Sequence, residues 1–169
     1  MNNKFYYNSY PIIKGDLVYN RIINKSYKEN NDIKLDELVY IKFLHYDYNN
    51  SIKEGELIIN KRIEKRIINI LEELFNNKYQ INSFKLVDDY FDDEKDLNKI
   101  DRKSILDNNS YSFFYRKIYG TNNLSKHSYG LAIDINPKEN PYLPFIDGEY
   151  DYSDLILPCG IYGRWEKNE

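Results

Sequence analysis

The feature that most constrains the fold is a change in apolar periodicity between residues 37 and 75. The run ELVYIKFLHYDY, from Glu37 to Tyr48, is rich in aromatic and β-branched residues, which favour strands. The polar segment NNSIKEG follows it and leads into a second apolar run, GELIIN. The two runs therefore predict a hairpin of two strands joined by a short loop.

A helix is predicted directly after this hairpin. Asn60 is of a residue type that caps helices, and the apolar residues after it are spaced so that they share one helix face. These apolar residues are Ile63, Ile67, Ile70, Leu71, Leu74 and Phe75. Asn76 and Asn77 are suited to end the helix.

Weaker patterns flank the hairpin and the helix. Residues 1–37 show no sustained period and predict an N-terminal arm or lead-in. The acidic stretch at 92–101 predicts a solvated loop or a short helix, and the tail beyond Pro141 predicts a surface coil. Three further strands are predicted, at INSFKLVDDY, YSFFYRKIY and LAIDI.

Composition excludes several classes of protein. A chain of 169 residues is long enough for one hydrophobic core and short for two. Its net charge of −3 gives no general support for binding nucleic acid or an anionic membrane. The single cysteine, Cys159, excludes an internal disulfide and a cysteine zinc cluster. No apolar run has the length of a signal peptide or a membrane span, so the chain as written is expected to be cytoplasmic.

The stretch SKHSYGLAID, residues 125–134, combines a loop histidine with a strand aspartate. His127 and Asp134 are both of types that bind zinc, and a catalytic zinc takes three protein ligands and keeps one position open. Because side chains alternate along a strand, Asp134 should point away from the core if Ile133 and Ile135 point into it. From the residues alone, a metal site and an ordinary buried histidine both remain open.

Five positions in this stretch form the pattern S-x-H-x-x-G-x-A-x-D: Ser125, His127, Gly130, Ala132 and Asp134. The pattern resembles the zinc-binding signature of the D-alanyl-D-alanine carboxypeptidase family of metallopeptidases. The resemblance extends over roughly residues 38 to 160, through GELIINKRI, KLVDDY, SFFYR and DINPKENPY. Together with the predicted elements, it implies an α+β fold with a small antiparallel sheet flanked by helices.

The resemblance also implies a site. It makes His127 and Asp134 zinc ligands, and it makes Arg116 the arginine that holds the substrate or its developing negative charge. Ser125 matches a serine that contacts the substrate. On physical grounds alone, Arg116 could instead form a surface ion pair and Ser125 could stabilise a turn. The implied substrate is a peptidoglycan stem peptide, cleaved when a zinc-activated water attacks the peptide carbonyl.

The family pattern is incomplete after Asp134. Family members add an acidic general base followed by a histidine, the third zinc ligand, whereas this chain has only His45 and His127. Glu166 and Glu169 have a suitable i, i+3 spacing for a substitute pair. We expect His45, on the first predicted strand, to be a half-buried structural residue.

Two functions follow from this reading. One is a zinc-dependent peptidase of stem peptides, and the other is an inactive, degenerate or truncated domain that binds cell-wall peptide or a partner. The domain prediction is an arm over residues 1–37 and a carboxypeptidase-like core over residues 38–169, truncated at its C-terminus. The absent signal peptide favours the cytoplasm, whereas the resemblance favours the cell envelope or the exterior. Oligomeric state stays open.

Overall fold

A three-stranded antiparallel sheet forms the centre of the fold. The computed structural model describes residues 4–141, 145–146 and 149–150. In spatial order the strands of the sheet are β1 (Tyr7–Pro11), β2 (Leu38–Tyr46) and β3 (Ile52–Asn60). The three longer helices are α1 (Leu17–Ile22), α2 (Glu64–Asn76) and α3 (Leu97–Leu106). This arrangement confirms the predicted α+β class.

The predicted hairpin is present as β2 and β3. The two strands pair in antiparallel register from Leu38 opposite Asn60 to Tyr46 opposite Ile52. In the connecting loop, the carboxylate of Asp47 accepts hydrogen bonds from the backbone N–H groups of Asn49 and Ser51 at 2.9 and 2.8 Å. A short acidic side chain therefore closes the turn, as aspartate does in many tight loops.

The predicted helix is also present. The side chain of Asn60 accepts a hydrogen bond from the N–H of Arg62 at 3.0 Å, and a short 3₁₀ turn over Lys61–Ile63 precedes α2. The helix ends at Asn76, as predicted. Its most buried residues are Ile68, Leu71 and Phe75, whereas Ile70 is exposed. The face that packs on the sheet is therefore rotated slightly from the predicted one.

The lead-in predicted for residues 1–37 is wrong where the structure describes it. β1 pairs with β2, and the carboxylate of Asp16 accepts a hydrogen bond from the N–H of Tyr19 at 2.6 Å and so caps α1. Apolar side chains of this segment join a buried cluster with Leu38 and Tyr40 of β2. Val39 and Ile41 point to the other cluster, beside α2. Both faces of β2 are thus covered, which explains its continuous apolar run.

Regular strands are shorter than predicted in the second half of the chain. The run INSFKLVDDY contains only β4 (Ser83–Phe84) and a 3₁₀ turn over Val87–Tyr90, and the next short strand is β5 (Asn109–Ser110), parallel to β4. YSFFYRKIY and LAIDI meet at a single bridge between Tyr111 and Asp134. In this half of the chain, side chains make some of the hydrogen bonds to backbone groups that a neighbouring strand would otherwise make.

Two asparagines show how this replacement works. The side-chain oxygen of Asn109 accepts a hydrogen bond from the N–H of Lys85 at 2.9 Å, and that of Asn136 accepts one from the N–H of Asn82 at 3.0 Å. Amide side chains can satisfy backbone groups that a strand would otherwise pair. The apolar pattern predicted longer strands than the structure has. Hydrophobic spacing carries no information about side chains that bond the backbone.

Two further predictions concern the acidic stretch at 92–101 and the tail beyond Pro141. α3 begins after Asp96, inside the acidic stretch, so the short-helix alternative is confirmed. Beyond Pro141 the described residues form a small antiparallel pair, β6 (Phe145–Ile146) with β7 (Glu149–Tyr150), instead of a coil.

Cys159, Glu166 and Glu169 lie outside the described residues. None of the helices that the structure describes has both the length and the hydropathy of a membrane span.

Candidate metal and substrate site

The histidine of the candidate site lies in a tight turn. Ser125 caps a 3₁₀ turn over Lys126–Tyr129, and Gly130 ends it in the left-handed region with φ of 63°. An added Cβ on Gly130 would lie 2.7 Å from the backbone nitrogen of Asn60, which donates a hydrogen bond to the Gly130 carbonyl at 2.9 Å. Only glycine combines this conformation with so close an approach, so the turn is locked against the end of β3.

The imidazole of His127 is held by one backbone carbonyl. Its Nδ1 lies 2.5 Å from the carbonyl oxygen of Ser112, and its ring lies against that of Tyr111 with centroids 5.1 Å apart. A carbonyl oxygen can only accept, so Nδ1 carries the proton in this hydrogen bond. Neutral His127 therefore presents the lone pair of Nε2, the orientation that metal-binding histidines commonly have. The residue is 8% exposed.

Asp134 faces this histidine. Its backbone makes both hydrogen bonds of the bridge to Tyr111, at 3.0 and 3.2 Å. Ile133 and Ile135 pack against the core cluster that α2 covers, and the carboxylate points the other way, with 43% of the side chain exposed. Asp134 Oδ2 lies 3.2 Å from Nε2 of His127. The predicted alternation of side chains around Asp134 is therefore confirmed.

Two acceptors, the Nε2 lone pair and a carboxylate oxygen, meet at this point. Such a pair attracts a proton or a metal cation. Burial opposes protonation of His127, but the hydrogen bond and charge of Asp134 outweigh it and raise the pKa of the imidazole. The donor types, the fixed ring and the exposed carboxylate fit two zinc ligands. Within the described ranges, no group of three or more His, Cys, Asp or Glu side chains is placed to hold a metal.

Arg116 lies near the hydroxyl end of Tyr111. Its Nη2 is 2.6 Å from Oδ2 of Asp101 and 3.5 Å from the hydroxyl of Tyr111. The alternative of a surface ion pair is wrong, because the Arg116 and Asp101 side chains are only 14% and 16% exposed. Burial disfavours the Arg116 charge, but Tyr111, Asp101 and Asp134 outweigh it and raise the pKa of the guanidinium.

The turn and the arginine are joined by two serines. Ser128 Oγ accepts a hydrogen bond from the Arg116 N–H at 3.0 Å and donates one to the Arg116 carbonyl at 2.7 Å. Ser125 donates its N–H to the same carbonyl at 3.0 Å, and its Oγ accepts from the His127 N–H at 3.3 Å. The structure thus gives Ser125 a turn-stabilising role. A contact between Ser125 and substrate stays a prediction.

Three residues of the site were missed by sequence reasoning. Ser112 holds His127 through its carbonyl and donates its hydroxyl to the Ala132 carbonyl at 2.7 Å, and Tyr111 and Asp101 complete the arginine environment. Asp101 was assigned to a solvated acidic stretch. Its helical spacing from Leu97 is a signal that was available, since both lie on the packed side of α3.

His45 is buried, whereas the sequence predicted a half-buried structural residue. Its ring packs edge-on against Phe84 with centroids 5.6 Å apart, and Nδ1 lies 3.3 Å from the Tyr46 carbonyl. Burial lowers the pKa of its imidazole. These contacts give His45 a structural role within the sheet layer.

Two surface cavities border the site. One, of about 460 Å³, is lined by Asp134 together with apolar side chains that include Leu74 and Tyr79. The other, of about 520 Å³, is lined by Arg116, Lys28, Lys95 and residues 117–121. Asp134 thus borders one cavity and Arg116 borders the other.

Comparison with known proteins supports the resemblance. The model of the D-alanyl-D-alanine carboxypeptidase family matches residues 119–156, a part of the chain that contains Ser125, His127 and Asp134. No curated protein and no solved structure matches the chain. The match confirms the resemblance to this peptidase family over the segment that carries the candidate ligands.

Proposed function

We propose that the protein is a zinc-dependent peptidase of peptidoglycan stem peptides, similar to D-alanyl-D-alanine carboxypeptidases. The observation that carries the proposal is the meeting of His127 Nε2 and Asp134 Oδ2 at 3.2 Å within the segment that matches the family. A zinc ion bound by such residues supplies a Lewis acid and lowers the pKa of water. The two side chains are the residues that would hold it.

The surroundings of His127 suit this role. The Ser112 carbonyl fixes the ring and its tautomer, and the Tyr111 ring covers one face of it. Such partners orient a ligand and raise its basicity. Because Asp134 is more exposed than His127, the open side of the site is the side of the carboxylate.

Arg116 supplies a positive charge to the same site. A peptide carbonyl gains negative charge when a nucleophile adds to it, and a guanidinium can stabilise that charge through paired hydrogen bonds. Charge interactions link the three groups: Asp134 favours the charged form of Arg116, and Arg116 disfavours that of His127. We therefore assign Arg116 to substrate binding and to stabilisation of the oxyanion.

The substrate class sets the place of action. Stem peptides belong to the cell wall, so the proposed activity belongs to the cell envelope or the exterior. Ser125 is proposed to contact the peptide from the turn that carries His127, next to the backbone of Arg116.

A calorimetric zinc titration of the full chain tests the metal part of the proposal. We expect one zinc per chain, and we expect His127→Ala and Asp134→Ala each to abolish tight binding. His45→Gln is the matched control, since it removes the only other histidine and should leave zinc binding unchanged. Equal zinc affinity in wild type and His127→Ala would overturn the assignment.

Hydrolysis tests the enzymatic part. The zinc-loaded chain is incubated with an acylated L-Lys-D-Ala-D-Ala peptide, and released D-alanine is measured by mass spectrometry. Release that requires both His127 and Arg116 supports the peptidase. Zinc and peptide binding without release over hours would instead support the alternative, a domain that binds cell-wall peptide without cleaving it.

A further inference from the structure

We infer that Asp101 is a positioning residue that holds Arg116 in the orientation needed for substrate, an inference that rests on the proposed function. Asp101 lies on α3, outside the segment that matches the family model. Its carboxylate forms the ion pair with Arg116 Nη2 at 2.6 Å. The site is therefore supported by a helix that the sequence pattern assigned to the surface.

Both carboxylate oxygens of Asp101 are in use. Oδ2 pairs with Arg116, and Oδ1 accepts a hydrogen bond from the Tyr111 hydroxyl at 2.5 Å. A carboxylate with two fixed partners has one orientation, and it passes that orientation to the guanidinium. Burial raises the pKa of Asp101, whereas Arg116 and Tyr111 oppose that rise.

Tyr111 connects this ion pair to the candidate metal ligands. Its hydroxyl binds Asp101, its ring lies against His127, and its backbone pairs with Asp134. The same residue thus sets the distance of the arginine from both ligands. The bond from Tyr111 also fixes the orientation of Asp101. A residue that positions another must itself be held in this way.

Arg116 needs such support because its own segment has no regular secondary structure. An arginine side chain has many rotamers, so holding it in one of them costs conformational entropy. If the folded protein already holds Arg116, this entropy is not lost again when substrate binds. Asp101 engages only one nitrogen. Within the described part of the chain, the buried Nε has no hydrogen-bond partner, and Nη1 reaches only the Lys117 carbonyl at 3.4 Å. Asp101 therefore holds Nη2, whereas Nη1 makes a single long hydrogen bond and is the donor left for a ligand.

The decisive variant is Asp101→Asn in the full chain. We expect kcat/KM for acylated L-Lys-D-Ala-D-Ala to fall at least tenfold, with zinc affinity unchanged. The kcat/KM of Arg116→Ala should fall by a similar factor. Adding Asp101→Asn to Arg116→Ala should cause no further loss of kcat/KM. This lack of additivity is a result that a merely structural role would not produce.

Asp107→Asn is the matched control. Asp107 also accepts from a tyrosine hydroxyl, that of Tyr90 at 2.6 Å, and also pairs with a cation, Lys85 at 3.2 Å. Both partners of this ion pair are about half exposed. The control should keep wild-type kcat/KM. Wild-type kcat/KM in Asp101→Asn, or a full further loss in the double variant, would overturn the inference.

Two measurements keep the test valid if Asp101→Asn folds poorly or the chain lacks peptidase activity. Tyr111→Phe removes the hydroxyl that bonds Asp101 and that lies 3.5 Å from Arg116 Nη2, and it should lower kcat/KM by a smaller factor. The ¹⁵N relaxation of Arg116 Nε, whose signal is identified by its loss in Arg116→Lys, should give a high order parameter in wild type and a lower one in Tyr111→Phe. An equally high order parameter in both proteins would overturn the positioning role, whatever the chain catalyses, whereas absent zinc binding alone would count against the proposed function.

Discussion

The β2–β3 hairpin and the site segment over residues 109–136 satisfy their backbones in different ways. The hairpin has a continuous antiparallel ladder whose partners lie within 23 positions, from Leu38 to Asn60. The site segment has two isolated bridges to itself, Tyr111 with Asp134 and Lys117 with Leu124, and a two-residue pairing of β5 with β4. Serine and asparagine side chains supply further hydrogen bonds to its backbone and to the backbone of its neighbours. The hairpin is stabilised by apolar burial on both faces, whereas the site is a polar network whose parts come from distant positions.

The largest expected effect is in the hairpin. Phe43→Ala removes a fully buried ring that packs edge-on against Phe84, with centroids 4.9 Å apart. We expect a loss of about 4 kcal/mol in the free energy of unfolding, measured by urea denaturation. Zinc binding by the folded protein should be unchanged, because no contact of His127 involves Phe43.

Ile70→Ala is the control for this experiment. Ile70 was predicted in the core face of α2, but its side chain is exposed. We expect a loss below about 1 kcal/mol. A loss as large as that of Phe43→Ala would show that the helix face is the one predicted from the spacing.

Gly130→Ala tests the junction between the two regions. The new methyl group would lie 2.7 Å from the Asn60 nitrogen, and alanine is strained at φ of 63°. We expect a loss of about 3 kcal/mol, from left-handed strain plus displacement of packed backbone. Thermal unfolding and zinc affinity should both report the change, because Gly130 ends the His127 turn.

Gly120→Ala separates strain from close contact. Gly120 also has positive φ, at 71°, but nothing lies within 4 Å of the position of its Cβ. This variant should lose about 1 kcal/mol and keep zinc affinity. Equal losses in the two variants would mean that the contact with Asn60 contributes nothing.

A buried carboxyl outside the site, that of Asp88, should make the stability of the protein depend on pH. Asp88 accepts hydrogen bonds from the N–H and hydroxyl of Ser26, at 3.0 and 2.8 Å, and burial raises its pKa to about 6. The folded protein therefore holds this proton more tightly than the unfolded chain. Its contribution to stability decreases as pH rises from about 4 to 6 and is level above that.

We expect this contribution to be smaller at pH 7 than at pH 4.5 by about 2 kcal/mol. The measurement is urea denaturation of wild type and Asp88→Asn at both pH values, since the difference between the proteins removes other titrating groups. Asn keeps the shape and can still bond Ser26. A difference that is the same at both pH values would contradict the raised pKa.

Local patterns predicted much of the hairpin region. The strands, the loop and the helix after Asn60 follow from β-branched runs, an asparagine cap and apolar spacing, all of which act between near neighbours. The same reasoning failed for residues 4–37. The β1 strand pairs with the edge of β2, and α1 packs in the apolar cluster on one face of β2, neither of which a local pattern reveals.

The candidate site was predictable in its residue types and less so in its supports. The signature indicated His127 and Asp134, and side-chain alternation predicted the direction of the carboxylate. Neither could indicate that Ser112, 15 positions away, fixes the histidine. Composition assigned Asp101 to solvent because acidic residues are usually exposed, but an ion pair with Arg116 offsets part of the cost of burying it.

By itself, the sequence determined the hairpin and the main helix, because these depend on residue type and short spacing. Its resemblance to the peptidase family, together with these elements, indicated the α+β class and the pair of candidate ligands. Only the tertiary structure decided the packing of the N-terminal segment, the tautomer of His127 and the pairing of Arg116 with Asp101. Each of these depends on a hydrogen bond, an ion pair or apolar burial between positions far apart in the chain. Such contacts form only when the sheet and helices have been assembled.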